Sequence, residues 1–163
     1  MQTTVQNQLP QSMSSQSNSE KSIADVLVAE KLITLDQLTK LKLEAARKNT
    51  VVDKLVHELQ LVPEERYYEA QAKFLNVPFT SVTTLPFSPE ALGFIPKSVA
   101  ERFSLIPFAY DHDQKIISVV MSNTTDLEAI EFIKQKTGAT IKVFQGIPSE
   151  ITQAIQSQYS FLY

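Results

Sequence analysis

Ile116-Ile117-Ser118-Val119-Val120-Met121-Ser122-Asn123-Thr124-Thr125-Asp126-Leu127-Glu128-Ala129 decides the fold of this chain. Its first six residues, Ile116 to Met121, are rich in β-branched and apolar types and read as a buried strand. Ser122-Asn123-Thr124 is a polar hinge. Thr125-x-x-Glu128 then reads as a capping box, in which the threonine hydroxyl accepts from an early helix amide and the glutamate reaches back to the cap. A central strand therefore gives way to a helix within a few residues, and the C-terminal half is laid around that turn. Nothing in the stretch is chemically reactive, which points to holding and docking rather than catalysis.

Working outward, the helix after Thr125 carries Leu127, Ala129, Ile130 and Ile133 towards the sheet and closes at Gly138, a C′ glycine. Thr140 to Phe144 alternates as a strand. Pro148-Ser149-Glu150 starts a last helix with Ile147, Ile151, Ala154 and Ile155 on one face. On the upstream side, Asp111-His112-Asp113-Gln114 is a turn, and Ser104 to Tyr110 is a strand that Pro107 places at an edge or bulge. Ser88-Pro89-Glu90-Ala91 is a capped turn, Ile95-Pro96 opens a helix through Arg102, and Phe79 to Val82 reads as a short strand. Residues 77–160 thus form a small α/β sheet subdomain.

Before it lies a repeat. A shift of 29 residues lays Ile23 on Val52, Val26 on Leu55, Leu27 on Val56, Leu38 on Tyr67, Leu41 on Ala70 and Ala45 on Phe74. Apolar positions recur while polar ones drift, as a duplicated helix pair would leave them. The second helix of the first copy starts at the capping box Thr34-x-x-Gln37; that of the second copy starts at Pro63-Glu64-Glu65, with acids at the positive end of the dipole. Residues 22–76 therefore read as a four-helix duplicated subdomain, and the fold class is α+β. Residues 1–21 are dominated by Gln, Ser, Thr and Asn and read as a disordered tail.

Composition removes several function classes. There is no cysteine, so disulfides, thiolate nucleophiles and cysteine metal sites are absent. Only Gly93, Gly138 and Gly146 are present, too few and too scattered for a Walker A loop or a dinucleotide-binding turn. A net charge of −3 argues against nucleic acid as a partner. No apolar run approaches the ~18 residues of a spanning helix, so no direct membrane insertion is expected and the compartment reads as cytoplasmic.

Side chains with chemistry are isolated. His57 falls beside an apolar stripe with no second ligand nearby, and His112 sits in a turn whose aspartates are there to bond their own backbone. Lys40, Lys42 and Arg47, on a mixed-charge helix with Glu44 and Lys48, make either a solvated face or a docking face for an acidic partner. Tyr67 occupies an apolar repeat position, whereas its neighbour Tyr68 points elsewhere and is either core or partly covered surface or, if exposed, a candidate anchor for a partner. No cofactor and no metal are expected, and the chain reads as a non-enzyme.

The order Pro96-Lys97-Ser98-Val99-Ala100-Glu101-Arg102-Phe103, Leu105-Ile106-Pro107, Thr124-Thr125-Asp126-Leu127-Glu128-Ala129, Gly138-x-x-Ile141-x-Val143 and Glu150-Ile151 resembles the N-terminal region of the type II secretion and type IV pilus assembly ATPases. Leu32-Ile33-Thr34-x-x-Gln37-Leu38, Leu61-Val62-Pro63-Glu64-Glu65 and Leu75-Asn76-Val77-Pro78-Phe79 are similar to the same family's N-terminal module. The resemblance spans 22–160 and implies a docking and regulatory domain for the cytoplasmic domain of an inner-membrane platform protein. That would place the chain peripheral to the inner membrane through partners, with a hexameric ATPase motor in cis where the two are fused. Some members of that family bind cyclic di-GMP through two copies of a repeat opened by Arg-Leu-Gly and closed by Gln. The matching positions here are Ser22, Ala24 and Ala45 in the first copy and Val51, Asp53 and Phe74 in the second. None keeps the ligand residue, and Asp53 sets a negative charge where a dianion would lie, so a cyclic di-GMP receptor with a degenerate motif stands as the alternative.

Overall fold

Ser22 opens the first helix by accepting the Asp25 amide on its hydroxyl at 3.2 Å. From there the computed structural model describes residues 22–161, so the tail read over 1–21 lies outside the described residues. Helix α1 runs Ile23–Ala29. Helix α2, Leu35–Lys48, begins at the expected capping box: Thr34 Oγ1 accepts from the Gln37 amide and Gln37 Oε1 accepts from the Thr34 amide. Helices α3, Val52–Glu58, and α4, Glu64–Leu75, repeat the pair. The copies also turn alike. Lys31 and Gln60, 29 residues apart, both take positive φ, and α2 and α4 both end on a left-handed asparagine, Asn49 and Asn76. Each second helix packs on the first helix of the other copy, α4 on α1 and α2 on α3. Between them Val26, Leu27, Leu55, Val56 and Ala70 are sealed from solvent. At roughly 1.5–3 kcal/mol per buried aliphatic side chain, this apolar contact outweighs the exposed ion pairs along the same helices.

The sheet has three strands in the order β1-β2-β3: β1 Leu105–Asp111, β2 Ile116–Met121 and β3 Thr140–Gln145. β1 and β2 are an antiparallel hairpin, while β2 and β3 are parallel and joined by a crossover helix, because a tight turn cannot connect parallel neighbours. The opening stretch is thus the middle strand, with Ile117, Val119, Val120 and Met121 fully buried. β1 is an edge strand and its register shifts between Pro107 and Ala109, so the missing N–H of the proline costs little there. Helices α5 (Pro89–Gly93, capped by Ser88), α6 (Lys97–Phe103), α7 (Leu127–Thr137) and α8 (Pro148–Ser160) complete an α+β fold.

Two local expectations are corrected. The cap of α7 is Asp126, whose Oδ1 accepts from the Ala129 amide at 3.1 Å, while the Thr125 hydroxyl donates to Asn123 Oδ1. Glu128 turns instead to Arg102, 3.3 Å away. With Asp126 as cap, Leu127 is the first helical residue and, at about 100° per residue, faces away from Ala129 and Ile133. It is 76% exposed. The strand expected over Phe79 to Val82 is reduced to a single parallel bridge between Phe79 and Gln145. The Val82 amide donates to Glu150 Oε1 rather than to a strand, and Val82–Thr84 winds into a 3₁₀ turn.

Candidate functional site

The repeat brings most of the six degenerate positions together. Ser22, Ala45, Val51 and Asp53 line a concavity of about 620 Å³ between the start of α1, the end of α2 and the start of α3, with Asp25 and Lys42 on its wall. Ala24 lies buried below it. Phe74 is outside the lining, 38% exposed on α4.

At the heart of this concavity the Asp53 carboxylate grips the first turn of α1. Oδ1 accepts from the Ala24 amide at 2.9 Å and Oδ2 from the Ile23 amide at 3.2 Å. These are donors that the helix itself leaves without a partner, at the positive end of its dipole. The arrangement is one-sided: the N-cap of α3 is Val51, with no side-chain bond.

Lys40, Lys42 and Arg47 project from the exposed side of α2. Arg47 pairs with Glu44 at 3.1 Å, as does Lys48 at 3.3 Å, whereas Lys40 and Lys42 enter no ion pair among the described residues. Between these cations stand Leu35 and Leu43, 68% and 69% exposed. The wheel of α2 made this legible, since both leucines fall off the stripe of Leu38, Leu41 and Ala45.

Tyr68, of its two readings, takes the covered position and not the outward anchor. It is 9% exposed, its hydroxyl 3.4 Å from His57 Nε2 and its ring edge-on to Tyr67. The reason is that α4, unlike α2, is covered on two sides: it packs on α1 and also meets β3. Burial, and then the Glu64 charge, raise the Tyr68 pKa; burial, with Asp53 and Tyr68 adding, pushes Tyr67 up to about 12. His57 packs tilted against Tyr67, with ring centres 5.1 Å apart, as part of this aromatic group. His112 lies 2.7 Å from Glu90 in an exposed pair, while Asp111 Oδ1 accepts the Asp113 and Gln114 amides. No group of three or more metal-ligating side chains occurs among the described residues.

Sequence reasoning missed Gln145. Fully buried, its Nε2 faces the carbonyl oxygens of Met121, Ser122 and Gly146 at 3.3, 2.8 and 2.8 Å, and its Oε1 accepts from Gln71 at 3.1 Å. It ties α4 to the sheet. The available signal was a lone amide between Phe144 and Gly146 at the close of an apolar strand.

Comparison with known proteins agrees with this architecture. The chain is 23% identical over 138 residues to the type IV pilus assembly ATPase PilB of Myxococcus xanthus, and 23% identical over 102 residues to PilB of Thermus thermophilus. The matches cover 85% and 63% of this chain but only 24% and 12% of those proteins. In fold it is similar to a structure of MshE with cdg (TM-score 0.68, 16% identity, 83% of this chain and 97% of that one). The N-terminal domain of XpsE is similar too (TM-score 0.58, 22% identity, 85% and 94%). The MshEN domain model matches residues 75–161, more than half of the sequence, and the chain belongs to the MshEN domain family.

Proposed function

We propose that this chain is a non-catalytic docking and regulatory domain of a type II secretion or type IV pilus assembly ATPase, binding the cytoplasmic part of the inner-membrane platform protein. It works in the cytoplasm, peripheral to the inner membrane through that partner and alongside a hexameric motor, in cis where the two are fused. Within it, 22–76 is the docking unit and 77–160 the scaffold beside it. Kinship with the pilus ATPases supports the setting. The observation that favours docking over nucleotide reception is Asp53: its carboxylate already holds the Ile23 and Ala24 amides where an anionic ligand would need them. A dianion would have to displace a fixed charge of its own sign.

The second reading, a cyclic di-GMP receptor with a degenerate motif, draws on the fold shared with MshE, whose structure contains cdg, and on the open concavity lined by both copies. Calorimetry with cyclic di-GMP separates the two. Docking alone predicts no heat of binding, and micromolar or tighter association overturns it. A pull-down with the platform protein's cytoplasmic domain tests docking directly, and failure to associate at high micromolar concentration removes it.

A further inference from the structure

Resting on the docking reading above, we propose that the outward face of α2 is the docking surface, and that it takes an acidic amphipathic segment of a partner protein. The face is an apolar ridge, Leu35-Thr39-Leu43, with Lys42 along one flank and Lys40 and Arg47 along the other.

The internal repeat supplies the first argument. A shift of 29 residues carries Leu35, Thr39, Lys42 and Leu43 onto Glu64, Tyr68, Gln71 and Ala72. On α4 that same face is covered by the chain's own sheet unit: Gln71 donates to Gln145, and Ser149 donates to Glu64. Tyr68 and Ala72 are 9% and 2% exposed there. On α2 none of the described residues covers it, and Leu43, the counterpart of buried Ala72, stands 69% exposed. One copy's face is used in cis, and its twin carries two leucines into solvent.

Charge supplies the second argument. The chain as a whole is acidic, at −3, yet α2 holds four cations (Lys40, Lys42, Arg47, Lys48) and two acids (Asp36, Glu44). Lys40 and Lys42 enter no ion pair among the described residues. A ridge of leucines between free lysines fits a helix with apolar side chains on one stripe and Asp or Glu on both borders. A second copy of the chain fits poorly. Ridge against ridge sets these lysines against their like, and the sheet surface that covers α4 is already engaged.

The test uses the full chain with the platform protein's cytoplasmic domain, measured by calorimetry at low and at physiological salt. Leu43→Ser and the double variant Lys40→Glu/Lys42→Glu are compared with wild type, and thermal melts check that each folds. The expected result is binding by wild type that weakens with salt, and roughly tenfold or greater loss in each variant. Wild-type binding with both variants within about twofold overturns the surface and leaves the docking reading standing. No binding by wild type overturns the docking reading and the surface together. Self-association of the chain alone that Leu43→Ser abolishes, seen by sedimentation, makes a second copy the occupant and overturns the acidic partner.

Discussion

The Asp53 carboxylate holds the amide of Ala24, which is its own counterpart one repeat earlier in the chain. Position 24 and position 53 are therefore one site of the duplicated unit put to two uses. In the first copy a small side chain lets the helix start close to its twin, and in the second an acid reaches across to cap it. Removing the carboxylate leaves two amides of a helix start without an acceptor. We predict that Asp53→Ala destabilises the domain by about 1–2 kcal/mol in urea titration at pH 7, and that Asp53→Asn, which keeps one acceptor oxygen, loses less. Equal stability of Asp53→Ala and wild type would show that water satisfies the helix start as well.

Gln145 carries the join between the helical repeat and the sheet. Its buried amide group meets three carbonyls and Gln71, so an apolar replacement takes the donor from the Ser122 and Gly146 carbonyls and leaves Met121 only its bond from the Gly146 amide. Gln145→Leu is expected to cost about 2–4 kcal/mol, whereas Gln71→Ala, at the half-buried end of the same bond, costs nearer ~1 kcal/mol. Chemical denaturation of both variants checks the ranking. A larger loss at Gln71 would place the weight of the join on α4 instead.

Much of this fold was readable because periodicity and caps speak for single elements. The Thr34-Gln37 box, the Ser88 cap, the Gly138 terminus and the central strand Ile116 to Met121 stand where their residues put them. What could not be read depended on a partner elsewhere in the chain. Thr125 and Asp126 both satisfy a cap pattern, and Asn123 decides between them by taking the threonine hydroxyl. Tyr68 lies on a face that is exposed in one copy of the repeat and covered in the other, and only the packing of α4 on β3 tells them apart. The convergence of Ser22, Ala45, Val51 and Asp53 on one concavity followed from the repeat, but the grip of Asp53 on α1 did not, since nothing local to Asp53 needs it.

Two glycines offer a matched contrast. A methyl group at Gly146 would land on Val120 Cγ1 and come within 3.2 Å of Ile151 Cδ1, both on packed core elements, whereas Gly93 has nothing within 4 Å of the same position. Gly146→Ala should therefore destabilise by about 1–3 kcal/mol through overpacking. Gly93→Ala should be neutral or stabilise by about 0.5 kcal/mol, because the free chain loses more freedom than the helix end. Thermal melting of the pair reads both, and a neutral Gly146→Ala would mean that β2 and α8 can part by the width of a methyl group.

Alkaline pH tests the aromatic group of His57, Tyr67 and Tyr68. Burial first, then the charge of Asp53 and the neighbouring Tyr68, push the Tyr67 pKa up to about 12. A free tyrosine ionises near pH ~10, so between these values the unfolded chain releases a proton that the folded chain keeps. Stability from this source is complete below pH ~10 and declines as pH rises towards the folded value. Tyr68 is shifted in the same direction and adds to the slope. Tyr67→Phe removes the larger share. Its stability should fall less steeply between pH ~10 and 11 than that of wild type, and near neutral pH it should lose no more than ~1 kcal/mol, since the bond from the Tyr67 hydroxyl to the Asp53 carbonyl is long at 3.4 Å. Urea titrations of the two proteins across that range give the comparison, and parallel slopes would place the alkaline sensitivity outside this aromatic group.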